Sequence, residues 1–97
     1  MSEYKVEIEG KEDLLAINQE IAGEEAGASE FVSSVVTPRG GQVTNVLTFR
    51  TLPAGTVPKP LKIVKLNDPP PAGTTKVWSG TMITSGTNTA VTGYRQS

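Results

Sequence analysis

The segment Phe31–Leu52, FVSSVVTPRGGQVTNVLTFRTL, constrains this chain more than any other. Two apolar runs, Phe31–Val36 and Val43–Leu52, flank Thr37-Pro38-Arg39-Gly40-Gly41. The runs are rich in β-branched residues, which fit a pleated strand and lose χ1 freedom in a helix. Pro38 presets φ for the second position of a tight turn, and Gly40 and Gly41 reach positive φ at little cost. Two such runs around a short Pro/Gly turn predict a β-hairpin, and the rest of the chain is organised around it.

The flanking segments have their own periods. Glu3–Glu9 alternates strictly, with Tyr4, Val6 and Ile8 on one side and Glu3, Lys5, Glu7 and Glu9 on the other, which predicts a half-buried strand. Gly10 ends it. Over Lys11–Ala22 the period changes: Leu14, Ile17 and Ile21 form an apolar stripe with Leu15 and Ala22 beside it, which predicts an amphipathic helix. Glu12 and Asp13 suit its positive end and Gly23 its C-cap. Glu24–Glu30 (EEAGASE) is polar and reads as a linker, with Glu24-Glu25 an exposed pair rather than a cation site.

Past the hairpin, residues 53–60 form a proline-rich loop. Leu61–Leu66 predicts a short edge strand protected by Lys62 and Lys65. Asn67–Gly73 is a proline-stiffened connector. Thr74–Ser85 predicts a long strand, Ser85–Asn88 a turn and Thr89–Arg95 a last strand. Val91 and Tyr94 are core or interface positions. Trp78 is a core residue in a chain with few other large side chains, or else a surface aromatic that anchors a ligand or partner. Strands and one helix without βα alternation predict a mainly β (α+β) fold, a small antiparallel β-sandwich or open barrel with one short N-terminal helix.

Composition narrows the chemistry. Leu, Ile, Val and Phe make up 23 of 97 residues, above the range of disordered chains. There is no cysteine and no histidine. The usual bases of nucleophilic catalysis and the usual zinc and copper ligands are therefore missing, and disulfides are excluded. The expectation is a protein without enzymatic activity, cofactor or metal. Arg39-Gly40-Gly41 and Ala72–Lys76 lack the spacing and following helix of a phosphate loop. Bases are spread out and not interleaved with aromatics, so no nucleic acid is expected as partner. No run is long and apolar enough for a membrane span, and Met1–Glu7 alternates charge and has no apolar leader region, which predicts a protein made in a cytoplasm.

Charge divides the chain. Residues 1–30 hold nine acids and two lysines, a net of −7; residues 31–97 hold one acid, Asp68, and seven bases, a net of +6. This split defines an acidic strand–helix arm, 1–30, and a β domain, 31–97, and predicts that the first docks on the second, within a chain or between chains. The reading adopted places the arm across a subunit interface; the competing account packs the helix on its own sheet as ordinary core. Interface candidates are the stripe Leu14, Ile17 and Ile21, the acids Glu24 and Glu25, Arg39 in the turn, and the aromatics Trp78 and Tyr94.

The Thr/Gly/Pro/Val-rich β region, the short turns, the missing cysteine and the acidic segment ahead of a polar-to-basic surface resemble small bacteriophage virion proteins. The resemblance is greatest to capsid decoration or cement proteins, which sit outside heads and clamp neighbouring capsomers. It covers the whole chain in size and composition and carries over no residue. It implies a non-enzymatic structural protein of the virion, made in the host cytoplasm. Its partners would be itself, as dimer or trimer, and a larger capsid or other virion protein. Small tail or head-completion proteins look similar, and a cytoplasmic binding or regulatory module is the alternative from another class.

Overall fold

The computed structural model describes residues 2–97. The fold is mainly β with one helix: β1 (Glu3–Glu9), α1 (Leu14–Ala26), β2 (Ser29–Arg39), β3 (Gln42–Thr51), β4 (Leu61–Lys65), β5 (Thr74–Thr84) and β6 (Thr87–Gln96). The strands form two three-stranded antiparallel sheets, ordered β1-β3-β2 and β4-β6-β5. The sheets meet where β2 lies beside β5, and α1 packs against β2 and β4. Ile8, Ile17, Ile21, Phe31, Leu47, Phe49, Ile63, Met82 and Val91 form one core, so both sheets and the helix bury their apolar faces together.

The predicted hairpin is β2–β3, closed by the pair Arg39–Gln42 around Gly40-Gly41. Both glycines have positive φ, +53° and +84°, the requirement of a two-residue type I′ turn whose twist matches that of the strands. Pro38 is not a turn residue as expected; it lies in β2 opposite Val43. The pair beside a hydrogen-bonded closing pair makes no ladder bonds, so the missing N–H of Pro38 faces the outer edge of the sheet. The β5–β6 turn is also shorter than predicted. Ser85 (φ 50°) and Gly86 (φ 77°) make it alone, and β6 begins at Thr87.

The helix is shifted towards the C-terminus from the predicted Lys11–Ala22. Asp13 is its N-cap, its carboxylate accepting the Ala16 N–H at 2.8 Å. Gly23 does not end it: the helix runs on to Ala26 and Gly27 is the C-cap. A mid-helix glycine costs about 1 kcal/mol, and the tertiary bonds made by the last turn outweigh that. The supposed linker 24–30 is therefore the end of α1, a short turn and the start of β2. The division between arm and β domain at residue 30 falls inside β2.

Residues 1–30 are not a separate arm on a neighbouring subunit. β1 pairs with β3 over its full length, from Glu3–Arg50 to Glu9–Thr44. Ile17 and Ile21 are wholly buried in the chain's own core. The competing account of the helix is the one the structure adopts.

Two asparagines splice the layers. The Asn45 side chain on β3 is fully buried; its Oδ1 accepts the Ile83 N–H at 2.8 Å and its Nδ2 donates to the Ile83 carbonyl at 2.9 Å. Asn18 on α1 does the same at Ile63, accepting at 2.8 Å and donating at 2.9 Å. Each amide takes the place of a neighbouring strand at an edge of the sheet β4-β6-β5, on β5 and on β4.

Candidate interaction surface

Folding brings the two halves of the charge pattern together within the chain. All three arginines bond to acids from residues 1–30: Arg39 to Glu7 at 3.5 Å, Arg50 to Glu30 at 3.4 Å and Arg95 to Glu25 at 2.8 Å. The first pair is solvent-exposed and the second partly so, and both are worth little. The third is buried. Glu25 also accepts the Phe31 N–H at 2.8 Å, and Arg95 donates to the Lys59 carbonyl at 2.6 Å. That constellation ties the end of α1 to the start of β2, the end of β6 and the 53–60 loop.

The lysines of residues 31–97 are left. Among the described residues Lys59, Lys62, Lys65 and Lys76 make no ion pair. Lys62 on β4 is opposite Tyr94 on β6, and Tyr94 is opposite Lys76 on β5. Side chains directly opposite one another share a face and sit about 5 Å apart, so the three form a Lys–Tyr–Lys row across the sheet. The row points away from the core, since the next residue on β6, Arg95, faces inward to Glu25. A bulge at Val77 sets the row, because it shifts β5 by one residue between Lys76 and Trp78.

The opposite sign gathers elsewhere. Glu7, Glu9, Glu12 and Glu20, with Ile8 and Ala16, line a shallow cleft of about 270 Å³ between β1 and α1. A second, more apolar depression of about 360 Å³ is lined by Gly10, Val43, Ile83 and Gly86, among others. Among the described residues no group of three or more metal-ligating side chains is arranged to hold an ion, and no helix is long and apolar enough to cross a membrane.

The interface candidates from the sequence divide as follows. Ile17, Ile21 and Leu14 belong to the core or pack on it. Glu25 is buried rather than an exposed linker residue, because Arg95 and the Phe31 N–H compensate its charge. Glu24 accepts the Tyr4 hydroxyl at 2.9 Å. Trp78 is half-buried and meets Phe31 edge-on at 5.4 Å, with its ring over Gly80, where a Cβ would lie 2.6 Å from it. Arg39 and Tyr94 remain at the surface. Lys62 and Lys76 were missed as partners of Tyr94, since bases on three different strands give no local signal.

Two titratable groups are shifted. Burial raises the Tyr4 hydroxyl above its ordinary 10.0, helped by Glu24 and opposed by Ser29, whose Oγ is 2.7 Å away. The bond to Glu9 raises Lys11. Both move away from neutrality, whereas a proton-transfer group works best with a pKa near the operating pH. The geometry thus offers surfaces with charge and an aromatic anchor. Comparison with protein-family models, curated proteins and solved structures finds no match to the chain.

Proposed function

We propose that the protein is a non-enzymatic structural subunit of a virus particle, a decoration or cement protein that docks on a larger shell protein. The observation that carries this reading is the Lys62–Tyr94–Lys76 row, left free after folding has paired every arginine with an acid. A half-buried tyrosine between two exposed lysines on a three-stranded face suits a broad contact with an acidic protein surface. Tyrosine anchors interfaces at low entropic cost, and rim lysines steer the approach. The size and composition of the chain, which resemble those of small virion proteins, give the partner its class.

Lys62→Glu/Lys76→Glu and Tyr94→Ala variants, mixed with particles that lack the protein, test the docking face. Co-sedimentation of the wild type should weaken with salt, and each variant should lose it while keeping its circular dichroism. Binding indifferent to salt and to both variants contradicts the reading. Tight binding of the same face to single-stranded oligonucleotide instead would replace the acidic protein surface with a nucleic acid.

A further inference from the structure

β1 is an edge strand of its sheet, with β3 on one side only. The Thr51 N–H donates to the Ser2 carbonyl at 2.8 Å and the Gly10 N–H to the Val43 carbonyl at 3.2 Å. Antiparallel ladders alternate bonded and non-bonded pairs, so the even residues of β1 are those bonded to β3. The N–H and C=O groups of Glu3, Lys5 and Glu7 therefore point to the outer edge. No backbone bond from elsewhere in the described chain reaches these six groups.

Each of the other three edges carries a specific device at one or two of its residues. On β2, Pro38 removes a donor and Glu25 takes the Phe31 N–H. On β4, Asn18 occupies Ile63, and on β5, Asn45 occupies Ile83. β1 has no such cap. An uncapped edge is a template for another strand.

We infer that the outer edge of β1 pairs with β1 of a second copy, antiparallel about a two-fold axis through Val6. In that register Val6 faces Val6 of the second copy, Tyr4 faces its Ile8 and Lys5 faces its Glu7, twice over by symmetry. The outward residues then oppose one another as hydrogen-bonded pairs, as an isologous edge requires. Length selects the register. Centring the pair on Lys5 or on Glu7 pairs only five of the seven residues of β1 and opposes two lysines or two glutamates at the axis. The register through Val6 pairs all seven residues and delivers the second copy's Lys5 beside the glutamate cleft. Its like-charge contact, Glu3 with Glu9, also occurs twice by symmetry, and each is softened by Lys11, which holds Glu9 at 3.0 Å. The result is a continuous six-stranded sheet, β2-β3-β1 joined to its copy.

Sedimentation equilibrium of the full chain from about 1 μM to about 1 mM tests the pairing, with urea midpoints as the control for folding. The wild type should dimerise. Lys5→Glu and Glu7→Lys should each weaken the dimer at least about tenfold, a factor of ten being 1.4 kcal/mol. The double swap Lys5→Glu/Glu7→Lys restores the complementary pairs and should restore the dimer. Oxidised Val6→Cys should form a disulfide-linked dimer in a chain with no other cysteine, because facing non-bonded pairs have Cα atoms about 4.5 Å apart. Val57→Cys, exposed in the 53–60 loop, should not. A monomer throughout the range, a dimer indifferent to the charge swaps, or failure of Val6→Cys to cross-link overturns the inference.

Discussion

Glu25 and Arg95 lie seventy positions apart and meet in a two-pronged ion pair, Oε1 to Nη1 at 3.1 Å and Oε2 to Nη2 at 2.8 Å. This contact decides where α1 ends, and it joins the acidic third of the chain to the last strand. Removing one partner leaves the other charge buried, which costs about 3 kcal/mol or more. Glu25→Ala should lower the unfolding free energy from urea titration by that amount and also free the Phe31 N–H. In a double-mutant cycle the pair Glu25→Ala/Arg95→Ala should cost less than the two single changes added. Strict additivity would show that the pair is not coupled.

Asn45 and Asn18 make the same two bonds to a strand backbone in different surroundings. Asn45 is fully buried, so Asn45→Ala strands the Ile83 N–H and carbonyl away from water and should cost about 2–3 kcal/mol. Asn18→Ala, at a half-buried site, should cost about 1 kcal/mol. Amide exchange reads each locally: Ile83 should lose protection in the first variant and Ile63 in the second. Equal effects would contradict the difference in burial.

Gly40 and Gly41 face open space, so only backbone conformation limits what replaces them. Gly40→Val and Gly41→Val should each destabilise by about 1 kcal/mol or more, whereas Gly40→Asn should come close to neutral. Unchanged denaturation midpoints for both valine variants would reject the I′ turn.

Tyr4 gives a pH dependence of known sign. Its folded pKa is raised above 10.0, so its contribution is fully present below the unfolded value and is lost as pH rises from about 10 through the folded value. Stability should fall in that alkaline window. Tyr4→Phe should flatten the fall, in thermal midpoints measured from about pH 8 to 11. An identical profile in the variant would remove Tyr4 as the cause.

Much of this fold was legible in the sequence, and the misses have physical reasons. The strict alternation of Glu3–Glu9 and the glycine pair after Arg39 placed β1 and the central hairpin. The end of α1 was not legible, because Gly23 is a local stop signal that Arg95, on the last strand, overrides. The Tyr94 row was hidden by the bulge at Val77. The Ser85-Gly86 turn alone would put Lys76 opposite Arg95, and the extra residue moves it to Tyr94. The bulge after Phe31 likewise sets that ring opposite Phe49, at 6.0 Å between centroids. Net charge by segment foresaw attraction between the two parts but not its place, since arginine–acid contacts inside one chain and between two chains leave the same composition.

A chain whose first thirty residues supply a sheet strand and a core helix should not survive their loss. Deleting residues 1–30 removes Ile8, Ile17 and Ile21 from the core and exposes the long edge of β3. The truncated chain should show no cooperative unfolding by circular dichroism. A folded, cooperative β remainder would return those residues to the status of a detachable arm.

The proposed place of this protein in a virus particle is tested by quantitative mass spectrometry of intact, nuclease-treated and density-purified particles. The protein should be found in those particles, in a fixed ratio to the shell protein and released by high salt before the shell comes apart. Absence from the particles, with the protein recovered only in the soluble lysate, would contradict it.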